Sequence, residues 1–319
     1  MRRILSLAAL SAWLLAAETP SLTLLVGNKD ENTLAFVDPA SGKVLGRVPT
    51  GEGPHEVAAS SDGKLAFTSN YGSGPNPGFT ISVIDAVNMK EIRKVDVSPL
   101  RRPHGLFFAN GKLYFTAETN RLIAAYDPAT NKVDWIMGTG QNTTHMVIVA
   151  PDNTTMFTAN IGSDTITILD RTGATAVPVG KGPEAMDLSP DGKQIWTSHS
   201  RDGGVSIIDI ASKKVVGTLS LGTKRSNRLK FTPDGRHVLI SDLDAGEVVV
   251  VDVAARKELQ RIPVGKAPEG ILMAKDGRKA YVAVNGDHKV AMLDLATMKI
   301  TGHMETGRGP DGMAWADRR

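Results

Sequence analysis

A pattern of about forty residues recurs along this chain from Pro54 to the C-terminus. Each copy contains a Gly- or Pro-marked turn, an apolar strand, a turn, a second strand and a third strand that ends in Asp. The residues directly after the first turn, here called the ring positions, are His55, His104, His145, Glu184, Asn227, Glu269 and Asp311. The Asp residues that close the third strands are Asp38, Asp85, Asp127, Asp170, Asp209, Asp252 and Asp294. Two markers that stay in phase predict seven repeated structural units.

The segments within one copy predict four short strands. In the first complete copy these strands are Glu56–Ser60, Leu65–Asn70, Thr80–Asp85 and Glu91–Val97, here called strands A to D. Four antiparallel strands in about forty residues are typical of a β-propeller blade. We therefore predict an all-β, seven-bladed β-propeller that forms a single domain over residues 18–319.

Two details of the repeat support blades packed side by side. The third strands are apolar throughout, as in Val248–Asp252, which predicts burial on both faces. The turns between strands A and B mostly carry Asp-Gly, a pair suited to positive φ, whereas the copy beginning at Ala150 has Asn153 instead. The longest insertion is predicted in a B–C loop, Gly72–Gly78.

The two ends of the repeat array predict how the ring closes. The chain ends just after a lone strand A at Gly312–Ala316, while Leu22–Arg47 supplies strands B, C and D without a strand A. Pairing the two segments completes the last blade and removes the open edges of the array.

The first seventeen residues predict a signal peptide. Arg2 and Arg3 precede an apolar run, Ile4–Ala17, that is short for a membrane span. We therefore expect a periplasmic or secreted bacterial protein with no transmembrane span after cleavage, although an uncleaved anchor stays an alternative. Without the two arginines, 35 basic residues face 34 acidic ones, which makes a nucleic-acid partner unlikely by charge. The absence of cysteine excludes disulfides and thiolate chemistry.

Three strand B segments resemble those of a known repeat family. Ala66–Asn70 reads AFTSN, Met156–Asn160 reads MFTAN and Tyr281–Asn285 reads YVAVN. With the Asp-Gly turns, these segments resemble the YVTN family of seven-bladed β-propellers. A weaker similarity to seven-bladed sugar-lactone lactonases lies in Asn70–Gly74 and Pro103–Gly105. The resemblance implies the fold and an exported protein, but it assigns no activity.

A functional site is expected where the D–A and B–C loops meet, on one face of the ring. Antiparallel topology places both loop types on that face, around the mouth of the central channel. The residues predicted to bind a ligand there are His55, His104, His145, Glu184, Asn227, Arg228, Glu269, Asp311, Asn70, Tyr71 and His199. A divalent transition metal is predicted at His55, His104, His145 and Glu184, because imidazole and carboxylate suit such ions. The alternative is that these polar residues simply cap turns in a repeated blade; no cofactor is assigned with certainty.

We consider first an exported binding platform whose partner is a small anionic ligand or a periplasmic protein. The alternative is a metal-assisted or His-dependent hydrolase or lyase, lactonase-like in its substrate. In such an enzyme His104 or His145 would act as general base, with Glu184 or Glu269 positioning it or a metal, and Arg228 would hold substrate charge. No motif of a nucleophilic enzyme occurs in the sequence, so catalysis stays open and binding is favoured. An accessory role in a periplasmic redox system follows from the resemblance alone.

Overall fold

Seven four-stranded antiparallel sheets surround a central axis in the part of the chain that the structure describes, residues 18–319. The structure is a computed structural model. It confirms the predicted all-β, seven-bladed propeller, in which the strands of each blade follow one another from the axis outward. The predicted signal peptide, residues 1–17, lies outside the described residues. Among residues 18–319, no helix has the length and apolar character needed to cross a bilayer.

The first half of the chain forms three strands of the closing blade and then three complete blades. The closing blade has β1 (Leu22–Asn28), β2 (Thr33–Val37) and β3 (Val44–Pro49). Blade 1 has β4 (Pro54–Ala59), β5 (Leu65–Gly72), β6 (Pro77–Asp85) and β7 (Lys90–Asp96). Blade 2 has β8 (Pro103–Ala109), β9 (Lys112–Ala117), β10 (Leu122–Asp127) and β11 (Lys132–Gly138). Blade 3 has β12 (Thr144–Val149), β13 (Met156–Asn160), β14 (Thr165–Asp170) and β15 (Gly173–Pro178).

The second half forms three more blades and the last strand of the closing blade. Blade 4 has β16 (Pro183–Leu188), β17 (Gln194–His199), β18 (Gly204–Asp209) and β19 (Lys214–Ser220). Blade 5 has β20 (Ser226–Phe231), β21 (His237–Asp242), β22 (Glu247–Asp252) and β23 (Lys257–Pro263). Blade 6 has β24 (Pro268–Met273), β25 (Lys279–Val284), β26 (Lys289–Asp294) and β27 (Lys299–Met304), and the closing blade gains β28 (Pro310–Asp317). Two single 3₁₀ turns follow strands B, at Glu118–Asn120 and Asn285–Asp287.

The predicted long B–C loop in blade 1 is largely strand. Strand β5 continues to Gly72 and β6 begins at Pro77, and these two residues pair, so only residues 73–76 form the loop. Gly78 allows this close pairing, because a Cβ there would lie 1.9 Å from the Asn70 carbonyl oxygen. The strands A begin about two residues earlier than predicted, because the ring positions themselves belong to the strands.

The hydrophobic core lies between neighbouring blades. Val248, Val249, Val250 and Val251 of β22 are all fully buried, as their continuous apolar run predicts. The outermost strands, in contrast, alternate between exposed and part-buried residues, as in β19, because one face of each meets solvent. The apolar layers fix the blades against one another and thereby fix the positions of the loops at the channel mouth.

The A–B turns have the predicted backbone geometry. Gly63, Gly192, Gly235 and Gly277 all adopt positive φ between 66° and 72°. Asn153 occupies the corresponding position in blade 3 with φ of 58°, which asparagine tolerates better than most residues.

The ring closes as predicted, through strands from both ends of the chain. Strand β28 pairs antiparallel with β1, from Leu22 opposite Asp317 to Asn28 opposite Pro310. Outside the sheet, the Arg318 amide donates a hydrogen bond of 2.7 Å to the Ser21 carbonyl. Strand β28 is the innermost strand of its blade and extends beyond the predicted Gly312–Ala316 at both ends.

Candidate functional site

A polar cavity of about 520 Å³ lies at the mouth of the central channel, here called the mouth pocket. Residues from the ring positions of all seven blades line it, namely His55, His104, His145, Glu184, Asn227, Glu269 and Asp311. A second set, one from each of six blades, comes from the ends of strands B or from the residue directly after them, namely Lys29, Tyr71, Glu118, Ile161, Ser200 and Leu243. Thr143, Arg201, Arg225 and Arg228 complete the lining. The repeat thus builds one composite pocket from residues far apart in sequence.

A β-bulge at each ring position turns the side chain toward the axis. In blade 1 the register between β4 and β5 shifts between Pro54 and Val57, and His55 lies within that shift. Equivalent shifts enclose the other six ring positions. Strand B hydroxyls satisfy backbone groups freed by the bulge; for example, the Gly105 amide donates to Thr116 Oγ1 at 2.9 Å. Bulges commonly re-aim side chains next to functional sites.

Two residues that the sequence predicts as ligand-binding do not line the mouth pocket. Asn70 is buried inside blade 1, where its amide donates to Thr80 Oγ1 at 2.9 Å and accepts from the Gly51 amide at 3.0 Å. His199 is also buried, and its Nδ1 bonds Asp202 Oδ1 at 2.9 Å. Side chains alternate along a strand, so the residue that follows each of them, Tyr71 or Ser200, faces the pocket instead.

Three imidazoles from adjacent blades form a cluster on one side of the mouth pocket. The ring centroids of His55 and His104 lie 5.0 Å apart, and those of His104 and His145 lie 3.8 Å apart. Tyr71 packs against both His55 and His104, with centroid distances of 4.7 and 5.3 Å. His104 and His145 are buried, whereas His55 is partly exposed.

Carboxylates hold the two outer imidazoles. His55 Nδ1 lies 3.1 Å from Asp311 Oδ2, and His145 Nδ1 forms a very short hydrogen bond with Glu118 Oε1. Tyr71 Oη donates to the other Glu118 oxygen at 2.5 Å. Burial disfavours the charged form of His145, but the hydrogen bond to Glu118 outweighs it and raises the pKa of His145. Burial, helped by the neighbouring imidazoles, holds the pKa of His104 well below its usual range.

A second cluster of ionisable groups lies next to His55, on the side away from His104. It consists of Lys29, Glu269 and Asp311. Lys29 Nζ lies 2.9 Å from Glu269 Oε2 and 3.4 Å from Asp311 Oδ2. Burial and the adjacent Asp311 charge raise the pKa of Glu269 to about 8, although Lys29 opposes that shift. Burial would raise the pKa of Asp311 too, but Lys29 and His55 together lower it. The cluster therefore retains a proton on Glu269 at neutral pH.

This retained proton predicts a pH-dependent effect of Glu269→Gln. The pKa of Glu269 is about 8 in the folded protein, against an ordinary value of 4.5. The unfolded chain therefore releases this proton at a lower pH, and the wild type loses stability as pH rises from about 4.5 to about 8. Each pKa unit corresponds to about 1.4 kcal/mol of stability. Between pH 5 and pH 9 the free energy of unfolding of the variant should therefore rise by a few kcal/mol relative to that of the wild type.

Thermal unfolding at pH 5 to 9 measures this difference. Glu305→Gln, which removes an exposed carboxyl from the same face, is the matched control and should parallel the wild type. Parallel profiles for Glu269→Gln and wild type would contradict the elevated pKa.

An ion pair spans the channel below the mouth pocket. Arg228 and Glu56 each follow a ring position, in blades 5 and 1, and the Arg228 guanidinium contacts the Glu56 carboxylate across the axis. Both side chains are buried. Burial raises the pKa of Glu56, although the Arg228 charge opposes that shift. Arg228 therefore already pairs with Glu56 and is not a free charge for a ligand.

A second cavity of about 360 Å³ lies beyond the ion pair. Arg228 lines both cavities, and the second is otherwise rich in apolar side chains such as Met146, Met186 and Met313. At the level of the ion pair, neighbouring inner strands approach each other so closely that only glycine fits. A Cβ on Gly270 would lie 2.1 Å from the Asp311 carbonyl oxygen, and one on Gly312 would lie 2.4 Å from that of His55.

The set of residues predicted to bind a ligand leaves out three residues that shape the site, namely Lys29, Glu56 and Glu118. The repeat contains a signal for each of them. Lys29 and Glu118 occupy the same repeat position as Tyr71, which was predicted. Glu56 occupies the same repeat position as Arg228, and its opposite charge is the signal for an interaction across the axis.

Comparison with known proteins places the chain among propellers. A family model described as the cytochrome D1 heme domain matches residues 106–275, just over half of the chain. The chain belongs to the cytochrome D1 heme domain family. No curated protein matches the sequence. The resemblance of this family member to YVTN repeats stays a prediction.

Solved structures similar to this cytochrome D1 heme domain family member include a hydrazine synthase and a gluconolactonase. Hydrazine synthase from Kuenenia stuttgartiensis has a TM-score of 0.71 at 21% identity and covers 81% of this chain and 88% of that chain. The periplasmic gluconolactonase PpgL from Pseudomonas aeruginosa has a TM-score of 0.75 at 18% identity, covering 92% and 98%. At these identities the similarity shows the fold alone.

The mouth pocket does not fit the haem that the family name implies. An imidazole is available as an axial ligand for iron. However, the faces of a macrocycle need broad apolar contact, and Ile161 and Leu243 are the only aliphatic residues among the described lining residues. The lining suits a small, polar ligand or a bare ion better than a macrocycle.

Proposed function

We propose that the protein binds a small anionic ligand in the mouth pocket. The observation that carries this proposal is the pair of arginines Arg201 and Arg225. Both line the pocket and are exposed, and neither forms an ion pair within residues 18–319. Asp311 by contrast neutralises Lys29, and Glu56 neutralises Arg228. Two unpaired guanidinium groups suit a carboxylate or phosphate, which each can bind with two parallel hydrogen bonds.

Neutral polar groups suggest that the anion also carries hydroxyl groups. Asn227 Nδ2 donates to Glu184 at 2.8 Å, whereas the buried Asn227 Oδ1 has no hydrogen-bond partner in the described chain. A ligand hydroxyl could donate to that oxygen. Thr143 and Ser200 add two more hydroxyls to the lining. A hydroxy acid such as an aldonate combines the charge and the hydroxyls that this surface can bind.

Calorimetric titration with gluconate at low ionic strength tests the proposal. We expect Arg201→Gln/Arg225→Gln to weaken binding at least tenfold, because a hydrogen bond to a charged group contributes about 1.5–3 kcal/mol. The matched control is Arg278→Gln, which removes an exposed arginine from an A–B turn on the opposite face. Equal affinity in the double variant and the wild type, or no binding of gluconate or of phosphate to the wild type, would contradict the proposal.

Hydrolysis of an aldonolactone is the second candidate function. It is favoured by the two carboxylate-bound imidazoles, His55 with Asp311 and His145 with Glu118, since such pairs orient a general base. A gluconolactonase also shares the fold. Turnover of glucono-δ-lactone above the spontaneous rate, lost in His145→Gln with an unchanged melting temperature, would support it. Binding of gluconate without such turnover would leave the binding function alone.

We infer that the protein acts outside the cytoplasm. The pattern of Arg2, Arg3 and the apolar run to Ala17 supports export, and a periplasmic protein shares the fold. The YVTN-like segments are compatible with the same location.

A further inference from the structure

We propose that His55, His104 and His145 form a binding site for one divalent transition metal ion. The three side chains come from the equivalent position of adjacent inner strands, β4, β8 and β12. Neighbouring rings lie 5.0 and 3.8 Å apart by centroid, and all three residues line the mouth pocket. Imidazole is a good ligand for zinc, copper and nickel. This proposal does not depend on anion binding.

The two outer imidazoles are held in the way that metal ligands usually are. A metal-bound histidine almost always gives its other ring nitrogen to a carboxylate, a carbonyl or water, which fixes the ring and its tautomer. Here Nδ1 of His55 meets Asp311, and Nδ1 of His145 meets Glu118. Nε2 of each ring is therefore the nitrogen left for an ion. Tyr71 in turn holds Glu118 through its second oxygen.

The central imidazole provides an independent observation. His104 Nδ1 is buried, and it has no hydrogen-bond partner in the described part of the chain. A buried polar atom of this kind normally has a partner, and leaving one unmade costs about 1–3 kcal/mol. An ion bound between His104 and its neighbours would give this ring a bonding partner.

His104 and His145 already have ligand atoms close together, and the proposed site requires the His55 ring to rotate toward them. One ligand atom each from His104, Glu118 and His145 lie within 4.8 Å of one another. Tetrahedral zinc with metal–nitrogen bonds of about 2.0–2.1 Å places its ligand atoms roughly 3.4 Å apart. Both Glu118 oxygens already accept hydrogen bonds, so we assign Glu118 to holding His145 and His55 to the third ligand position. Glu184, which the sequence predicts as a ligand, instead accepts a hydrogen bond from Asn227 at 2.8 Å.

Titration of the chelator-treated full chain with cobalt(II) and zinc tests the site. We expect one cobalt ion per chain, with the visible absorption bands of a four-coordinate ion, and displacement of cobalt by zinc. His104→Ala and His145→Ala should each weaken zinc binding about 100-fold or more, and Glu118→Gln about 10- to 100-fold, because it holds a ligand. His303→Ala, which removes an exposed histidine far from the cluster in sequence, should bind as the wild type does.

The variants are compared by circular dichroism and melting temperature, and His104→Gln provides a second, polar replacement should His104→Ala fail to fold. Less than about 0.2 zinc ions per wild-type chain at micromolar zinc would overturn the proposal. Equal losses in His303→Ala and His104→Gln would overturn it as well, because the binding would then be non-specific.

Discussion

Arg228→Met is expected to destabilise the protein by about 3–5 kcal/mol, the typical cost of leaving one partner of a buried ion pair without the other. Arg228 and Glu56 are both buried, and the guanidinium also lies 3.8 Å from Asp311. Methionine fills a similar volume but leaves the Glu56 carboxylate in the channel without a counter-charge. Chemical denaturation at pH 7 measures the change in the free energy of unfolding.

The double variant Arg228→Met/Glu56→Gln separates lost charge pairing from lost packing. Because it removes both charges, it should recover a large part of the stability lost in the single variant. Arg236→Met is the matched control: Arg236 is largely exposed and pairs only with Asp234 in its own turn, so the change should stay within about 0.5 kcal/mol. A single Arg228→Met variant as stable as Arg236→Met would show that the pair contributes nothing.

Deletion of Pro310–Arg319 is expected to abolish the cooperative unfolding transition. These residues include β28, the innermost strand of the closing blade, and β1 would lose its inner neighbour along its whole length while it still pairs with β2. The apolar face of Trp315 and Ala316 would be lost from the core, and an open strand edge would remain. We expect an aggregated chain or one that melts without cooperativity, measured by scanning calorimetry.

Removal of Arg319 alone is the control for this deletion. Arg319 is exposed and contacts Asp317 in its own segment, so its loss should leave the melting temperature within about 2 °C of the wild type. Adding a synthetic peptide of residues 309–319 to the truncated chain should restore part of the transition. A truncated chain that melts cooperatively near the wild-type temperature would show that the ring does not need this strand.

Most of the fold could be predicted from the sequence because the repeat records it seven times. The phase of the ring positions gives the number of blades, and the unmatched segments at Leu22–Arg47 and Gly312–Ala316 give the closure, which the pairing of β1 with β28 confirms. Strand ends were less predictable. In blade 1 the pairing of Gly72 with Pro77 extends a hairpin that a Gly- and Pro-rich composition disguises as a loop.

The position of the site could be predicted from the sequence, but the pairing of its charged side chains could not. Repeat phase identifies which residues approach the axis, and all seven ring positions line the mouth pocket. It does not say which charges pair, because a contact such as that of Arg228 with Glu56 spans the channel between distant blades. It also does not say which residue near the end of strand B faces the axis, and Asn70 instead forms hydrogen bonds within its own blade.

The Arg228–Glu56 pair divides the central channel into two cavities. The mouth pocket is polar and the second cavity is mainly apolar. Arg228 lines both of them, so the ion pair lies between the two cavities. We expect a ligand that enters the mouth pocket to leave by the same opening, because the ion pair lies across the channel below it.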